Sequence, residues 1–260
     1  MTKTRSFFAV TAAVVLLLAP ASGVFAQEEM MEPAERNVTF EGPDGVTLEG
    51  YLATPSGSGP FPAVVMIHEW WGLNKDIARL ADALAAEGYV VLAPDAFRGS
   101  VAQSPQGAME QVRSTPQEQI AADMDAALDF LRSHQLVAAD RVASMGFCFG
   151  GTQSMYMGTR NPELAAVVTF YGSGPITSAD RLGTMDEAEP VLGVFGAEDN
   201  NIPVSEVRAF EAAMNERGVA NTVTVYDGVG HAFVNSENYD EGGTPAQAWD
   251  QLLSFLDQNL

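Results

Sequence analysis

The hydrophobic residues of this chain fall into two alternating patterns. Short unbroken apolar runs predict strands buried on both faces, and longer segments with apolar residues three and four positions apart predict helices. The predicted strands are residues 63–67, 89–93, 141–147, 164–170, 191–195 and 222–226. The predicted helices are residues 75–87, 117–133, a small-residue segment ending near 159, 204–217 and 245–259. This alternation predicts an α/β fold with a mainly parallel, doubly wound sheet flanked by helices.

The segment before these elements has a different pattern. Residues 37–40 and 46–54 flank the Gly-Pro-Asp-Gly turn at 42–45, which predicts an N-terminal β-hairpin. Residues 27–36 are acidic, rich in methionine and without apolar periodicity, which predicts a flexible leader. We therefore expect one folded domain over residues 37–260.

One stretch interrupts the alternation of strands and helices. Residues 97–116 are rich in Gly, Ser, Gln and Pro. A long loop inside a compact domain is more often a lid or a pocket wall than part of the scaffold. We therefore expect this stretch to be a loop beside a binding site.

The first 26 residues have the features of a signal peptide. Lys3 and Arg5 precede an apolar run at 7–18, and the segment ends in Val-Phe-Ala, with cleavage expected after Ala26. The run is short for a membrane span, although an uncleaved anchor is the alternative. No cysteine follows that a lipid anchor could use, so export to the periplasm or the medium is predicted without a stable membrane anchor.

Composition and charge limit the partners of the domain. The chain has 260 residues, of which 47% are hydrophobic, so one well-packed domain is expected. Its net charge of −21 would repel nucleic acid and anionic lipid. The predicted partner is a small molecule, and a monomer is favoured.

Cys148 is the only cysteine, so no disulfide can form within the chain. A single thiol in an exported protein is either buried and inert or kept for its reactivity. Its setting favours the second interpretation, because the Gly-Phe-Cys-Phe-Gly-Gly motif at 146–151 follows a predicted strand and precedes a predicted helix. Such a strand-to-helix turn raises a nucleophile above the sheet, and its tightness requires glycine on both sides. The helix N-terminus also favours a thiolate.

An aspartate and a histidine follow Cys148 along the chain, which gives the order nucleophile, acid, base. His231 lies in a Gly-rich loop after the last predicted strand, and Asp199 follows the strand at 191–195. The acid would orient the histidine and stabilise its cation. Glu198 is the alternative acid, and Asp199 could instead cap the helix that begins near residue 203.

Five short motifs are distributed along the sequence. They are residues 68–73 (His-Glu-Trp-Trp-Gly-Leu), 93–95 (Ala-Pro-Asp), 146–151, 196–199 (Gly-Ala-Glu-Asp) and 230–233 (Gly-His-Ala-Phe). Together they resemble the dienelactone hydrolase (carboxymethylenebutenolidase) family of α/β-hydrolases, from about residue 37 to the C-terminus. The resemblance implies an α/β-hydrolase fold and hydrolysis of an ester or lactone.

The resemblance also implies roles for individual residues. Cys148, Asp199 and His231 match the catalytic triad, and Glu69 matches a glutamate that contacts the resting cysteine and takes part in forming its thiolate. The sequence itself predicts no cofactor, because three scattered histidines without a cysteine pair have no metal-site spacing, and no Gly-rich phosphate loop is present.

Two more features of the family concern the substrate. The backbone N–H groups of Trp70 and Phe149 match its oxyanion hole. Arg98 lies near the position of an arginine that grips a substrate carboxylate, with different spacing, and Asn235 occupies the place of a second such arginine. A substrate of the dienelactone type, which carries a carboxylate, is therefore in question.

Aromatic residues beside the motifs predict an apolar pocket. Trp71 and Phe233 are the two that we expect to contact the substrate, although aromatic residues are more often part of the core. Two other functions remain open from the sequence. One is a thioesterase, peptidase or broad esterase on the same triad, and the other is a thiol redox or binding protein on a hydrolase scaffold.

Overall fold

Eight strands form one sheet in the part of the chain that the computed structural model describes, residues 29–186 and 189–260. The strands are β1 (Val38–Glu41), β2 (Thr47–Ala53), β3 (Phe61–Ile67), β4 (Val90–Pro94), β5 (Val137–Phe147), β6 (Ala166–Phe170), β7 (Val191–Gly196) and β8 (Asn221–Tyr226). The helices are α1 (Lys75–Ala86), α2 (Pro105–Ser114), α3 (Gln117–Ser133), α4 (Phe149–Gly158), α5 (Val204–Arg217) and α6 (Gly243–Asn259).

The strand order confirms the predicted fold class. It is β1-β2-β4-β3-β5-β6-β7-β8, and the six strands from β4 to β8 in this order run parallel. The predicted N-terminal hairpin is the antiparallel pair β1–β2, which joins the sheet through antiparallel pairing of β2 with β4. The central strands are almost wholly apolar because helices cover them, as in other parallel sheets.

The register of the parallel strands brings the starts of five loops together. Ile67 of β3 pairs with Gly146 of β5, and Phe147 of β5 pairs with Phe170 of β6. The segments that follow these strands therefore start side by side at one edge of the sheet. The loops after β7 and β8 open at the same edge, since Gly196 pairs with Tyr226.

Helix α1 illustrates how local sequence fixes an element. The side chain of Asn74 caps it by accepting the Ile77 N–H at 3.2 Å. Its apolar residues Ile77, Leu80 and Leu84 are buried against the sheet. Gly88, with φ of +102°, ends the helical region in a conformation that side-chain-bearing residues rarely adopt.

The expected loop at residues 97–116 is wrong, because much of it is helix α2. Ser104 caps this helix by accepting the Gly107 N–H, and Pro105 occupies its first turn. Only Ala108 and Gln111 of the helix are buried. Such a narrow contact gives almost no apolar periodicity, so the hydrophobic pattern does not reveal the helix.

The predicted flexible leader also differs from what is seen in its described part, residues 29–36. Ala34 is 4% exposed and its N–H donates to the Leu73 carbonyl at 3.1 Å. Lys75 forms an ion pair with Glu32 at 2.6 Å. These partners are distant in sequence, and therefore local composition does not predict the contact.

The predicted signal peptide, residues 1–26, lies outside the described residues. Within the described residues, none of the helices combines the length and apolar character that crossing a membrane requires.

Candidate active site

Cys148 lies at the sharp turn between β5 and α4, with φ of 53° and ψ of −114°. Positive φ is strained for a residue with a side chain, and such strain is typical of functional turns. The turn is tight: a Cβ on Gly146 would come within 2.2 Å of the Gly150 backbone, and one on Gly150 within 2.0 Å of the Ile67 carbonyl oxygen. The glycines of the motif are therefore required by close backbone packing.

Asp199 and His231 form a preassembled pair. His231 Nδ1 lies 2.7 Å from Asp199 Oδ2, and the Asp199 side chain has no exposed surface. The other carboxylate oxygen, Oδ1, accepts the backbone N–H groups of Asn201 at 2.7 Å and Ile202 at 3.2 Å. With both oxygens occupied, the carboxylate has a fixed orientation and fixes the tautomer of His231, with Nδ1 protonated. Glu198, the alternative acid, is exposed.

The thiol of Cys148 is held neutral. Burial raises its pKa to about 12, and the nearby carboxyl groups of Glu69 and Asp199 add to this. The Phe149 N–H and the Ser173 hydroxyl oppose the rise by favouring the anion. Among the described residues, no hydrogen bond joins the Cys148 sulfur to the His231 ring. The Cys148 thiol is therefore not ionised in this state of the protein.

Glu69 is a second group whose protonation is set by its surroundings. Burial raises its pKa to about 8, and the negative charge of Asp76 contributes to the rise. Asp76 itself accepts the Ser236 N–H at 2.8 Å, and burial raises its pKa as well. Two carboxyl groups thus lie on the Cys148 side of the cleft, where each disfavours the ionisation of its neighbours.

Tyr171 connects the two sides of the site. It follows β6, and its ring centroid lies 5.2 Å from that of His231. Burial raises the pKa of its hydroxyl well above the ordinary value, and the neighbouring Glu69 and Cys148 contribute. The hydroxyl donates to the Val234 carbonyl at 3.0 Å and so fastens the loop that carries His231. The residues after β3, β5, β6 and β8 therefore meet in one cleft.

The segment after β3 forms a tight turn. The Glu69 carbonyl oxygen accepts the Gly72 N–H at 3.2 Å, and Gly72 has φ of +100°. Within the described part of the chain, the Trp70 N–H donates to no acceptor. The Phe149 N–H lies at the start of α4, where no acceptor within the helix is available, and it faces the Cys148 sulfur. Both N–H groups predicted for an oxyanion hole can therefore receive a ligand.

Arg98 is already paired inside the protein. Its guanidinium donates to both carboxylate oxygens of Asp123, at 3.0 and 2.9 Å, and the Asp123 side chain is 2% exposed. This pair uses two of the N–H groups of the guanidinium, and the buried carboxylate offsets its positive charge. Asn235, in the place of the second arginine, accepts the Glu237 N–H at 2.9 Å within its own turn.

The two aromatic residues predicted to contact the substrate have different surroundings. The Trp71 side chain is partly exposed and its ring lies 5.2 Å from that of Trp70. Phe233 is 8% exposed and packs against Tyr171 and Tyr226 with ring centroids 5.6 and 5.9 Å apart. Trp71 is therefore the more accessible of the two.

His68 has the hydrogen bonds of a supporting residue. It is fully buried, its Nδ1 lies 2.6 Å from the Glu69 carbonyl oxygen, and its Nε2 accepts the Ala96 N–H at 3.1 Å. Burial lowers the pKa of its ring, so the neutral tautomer with Nδ1 protonated is favoured.

Sequence reasoning did not find Asp76, Ser173 or Gln111. Asp76 is in the first turn of α1, where an acidic residue is expected for helix stability alone. Ser173 follows β6 in a Gly-Ser-Gly segment that reads as an ordinary loop. Gln111 belongs to the helix that the pattern missed. Only their distance to the other motifs in space identifies them.

A comparison with protein families matches residues 48–260 to a model described as the dienelactone hydrolase family. This covers well over half of the chain, and it includes each residue of the predicted triad.

Curated relatives and solved structures agree with this match. Protein usf from Aquifex pyrophilus is 34% identical over 86% of this chain and 98% of its own length. A protein from Aquifex aeolicus with the provisional name carboxymethylenebutenolidase is 31% identical over 84% of this chain and 96% of its own. A crystal structure provisionally titled a dienelactone hydrolase, from Klebsiella pneumoniae, has a TM-score of 0.71 and 27% identity, covering 85% of this chain and 98% of that one.

Proposed function

The chain belongs to the dienelactone hydrolase family and is a carboxylic ester hydrolase, and we propose that Cys148 is its nucleophile. The observation that supports this most strongly is the location of Cys148 at a strained strand-to-helix turn, in the same cleft as the hydrogen-bonded pair Asp199–His231. A nucleophile, a base and an acid that orients the base are the groups that acyl transfer requires.

In the proposed mechanism, the Cys148 sulfur attacks the carbonyl carbon of an ester or lactone. Glu69, as its carboxylate, takes the thiol proton as the substrate enters. The bond to the leaving alkoxide breaks, and His231, as the imidazolium that Asp199 stabilises, gives that alkoxide a proton. The acyl group is then bound to Cys148 as a thioester.

Water completes the cycle. Neutral His231 removes a proton from water as the oxygen attacks the thioester, which regenerates the imidazolium and releases the carboxylic acid. Glu69 returns its proton to the sulfur, so each group ends as it began. The N–H groups of Trp70 and Phe149 hold the negative oxygen in both tetrahedral intermediates; the loss of one such donor typically costs about 10²-fold or more in rate.

The charges around the thiol favour an uncharged acyl group. Glu69 and Asp199 are carboxyl groups near Cys148, and Asp76 lies near Glu69, whereas Arg98 is already paired with Asp123. A substrate carboxylate would be repelled without a free cation to receive it. We therefore propose a neutral ester or lactone as the substrate.

Export fits a thiol that is held neutral at rest. A permanently ionised thiolate is oxidised readily, and a protonated one is protected until substrate arrives. The proposed location, periplasm or medium, rests on residues 1–26 alone; a mature chain that begins at Gln27 by intact mass would support it.

The nucleophile is tested with Cys148→Ala in the chain that begins at Gln27. Hydrolysis of p-nitrophenyl acetate, p-nitrophenyl butyrate and a simple lactone should fall by about 10³-fold or more, because the proposed acyl-enzyme forms on the Cys148 sulfur. The wild-type enzyme, quenched during turnover, should carry the acyl group on the peptide that contains Cys148.

Glu198→Gln, a change at an exposed residue, is the matched control and should keep wild-type activity. Pure Cys148→Ala protein that still hydrolyses these esters would refute the cysteine mechanism. Inclusion of a thioester and a peptide in the same panel separates the proposed ester hydrolase from a thioesterase or a peptidase.

A further inference from the structure

The two peptide groups on either side of Trp70 are fixed by side chains, one from the nearby His68 and the other from Gln111 of α2. The first, between Glu69 and Trp70, has its carbonyl oxygen occupied by the His68 ring at 2.6 Å and by the Gly72 N–H at 3.2 Å. The second, between Trp70 and Trp71, has its carbonyl oxygen bound by the Gln111 side-chain amide. Trp70 is therefore restrained from both directions.

The direction of the Trp70 N–H follows from the first of these contacts. In a trans peptide the C=O and N–H point to opposite sides. Since the Glu69 carbonyl points toward the His68 ring, the Trp70 N–H of the same peptide points the other way, and it finds no acceptor among the described residues. Rotation of either peptide would change where this donor points.

Gln111 is held on its other side as well. Its Oε1 accepts the Ser100 hydroxyl at 2.8 Å, so the amide orientation, with Nε2 toward Trp70, is determined by two partners. Gln111 is 8% exposed, and it is one of two buried residues in α2. The adjoining backbone reinforces the contact, because the Ala102 N–H donates to the Trp71 carbonyl at 2.8 Å.

We propose that Gln111 and His68 are positioning residues that aim the Trp70 N–H at the oxyanion of the tetrahedral intermediate. The inference rests on the proposed function, because it concerns the donor that the acyl-transfer mechanism needs. It also gives helix α2 a role, which is to carry the side chain that fixes this turn. Neither residue touches the substrate; both act through the Trp70 backbone.

The test uses Gln111→Met and Gln111→Glu in the full mature chain. Met keeps the length of the side chain without its donor, and kcat on p-nitrophenyl acetate should fall about 10- to 100-fold with little change in KM, because a misaimed donor acts mainly on the transition state. Glu should behave differently with pH. Its protonated carboxyl can donate to the Trp70 carbonyl, whereas its carboxylate repels it.

The ratio of Gln111→Glu to wild-type kcat should therefore rise as pH falls, while the ratio for Gln111→Met stays constant. A merely structural role would lower thermal stability without this pH signature. Glu110→Gln, at the exposed neighbouring residue of α2, is the control and should stay within about twofold of wild type, as surface changes usually do. An unchanged kcat in Gln111→Met, or equal pH ratios in the two variants, would overturn the proposal.

A second readout separates this inference from the proposed function. Backbone amide exchange of residues 69–72 should become faster in Gln111→Met, whatever the enzyme hydrolyses. If the wild type cleaves no ester, the proposed function fails, and unchanged exchange would overturn the positioning role independently. Should Gln111→Met fail to fold, Ser100→Ala removes the support of Oε1 at an exposed site and should lower kcat by a smaller factor.

Discussion

The base side and the nucleophile side of the cleft are prepared for reaction to different degrees. On the base side, Asp199 uses one oxygen for two backbone N–H groups and the other for His231, at 2.7 Å. On the nucleophile side, Cys148 has its pKa raised to about 12 and Glu69 has its pKa raised to about 8, both mainly by burial. The groups on the base side are joined by hydrogen bonds. On the nucleophile side, the surroundings of Cys148 and Glu69 make the ionisation of both groups unfavourable.

This difference indicates where control of the reaction lies. A hydrogen-bonded acid and base cost no reorganisation when the substrate enters. A partly buried thiol beside carboxyl groups needs a change in its surroundings before it ionises. Substrate binding, which excludes water and brings a carbonyl to the sulfur, is the event that we expect to supply this change. The two sides can be separated by substitutions that affect only one of them.

The largest effect is expected on the base side, from Asp199→Asn. The amide would donate to His231 Nδ1 and so favour the wrong tautomer, which in a comparable triad lowers kcat about 10⁴-fold. The backbone contacts to Oδ1 can persist, so the fold should be retained. Steady-state kinetics on p-nitrophenyl acetate and a circular dichroism melt would measure both.

Glu198→Gln distinguishes the two acids that the sequence offers. Glu198 is exposed, and its replacement should leave kcat within about twofold of wild type, as surface changes usually do. The opposite result, with Asp199→Asn active and Glu198→Gln inactive, would show that the acid is wrongly assigned.

Glu69→Gln changes the nucleophile side, where a smaller effect is expected. The sign of the effect should differ between two reactions, the alkylation of Cys148 and the hydrolysis of an ester. At pH 9 the wild-type Glu69 is above its pKa of about 8 and is mostly ionised, so its charge opposes the thiolate. Removal of this charge should lower the Cys148 pKa and make alkylation by iodoacetamide faster, about tenfold per unit of pKa. Ester hydrolysis should instead become slower, because the proton acceptor is lost.

Asp76→Asn is the companion variant for this experiment. Without the Asp76 charge the pKa of Glu69 should fall, which shifts its ionisation, and any activity that depends on it, to lower pH. The amide oxygen of Asn can still accept the Ser236 N–H, so the structural contact is kept. If Glu69→Gln speeds both alkylation and hydrolysis, Glu69 is an obstacle to ionisation and not the proton acceptor.

Much of the fold could be predicted from the chain alone. Helices α3 and α5 have the predicted bounds, and the predicted hairpin is β1–β2. Apolar runs and periodicity report burial, and burial decides most of an α/β sheet. The location of Cys148 at the turn was predictable for a similar reason, since the glycines around it are required by backbone contacts that any such turn must make.

The remaining features depend on contacts between distant residues. Helix α2 buries little, and therefore leaves no periodic signal. Arg98 pairs with Asp123, which is 25 positions away, and its contact with a substrate stays a prediction. The described part of the expected leader packs against residues 73 and 75. In each case the partner is set by the folded arrangement, which local composition does not encode.

The sequence by itself determined which groups are available and in what order: a cysteine at a strand-to-helix turn, then an acid, then a histidine in a glycine-rich loop. Only the tertiary structure decided their state. Asp199 rather than Glu198 meets His231, burial and the charge of Asp76 raise the pKa of Glu69, and Gln111 reaches the Trp70 carbonyl. The protonation of Cys148 and Glu69 and the direction of the Trp70 N–H depend on burial and on distances between residues far apart in the chain. These are properties of the folded molecule.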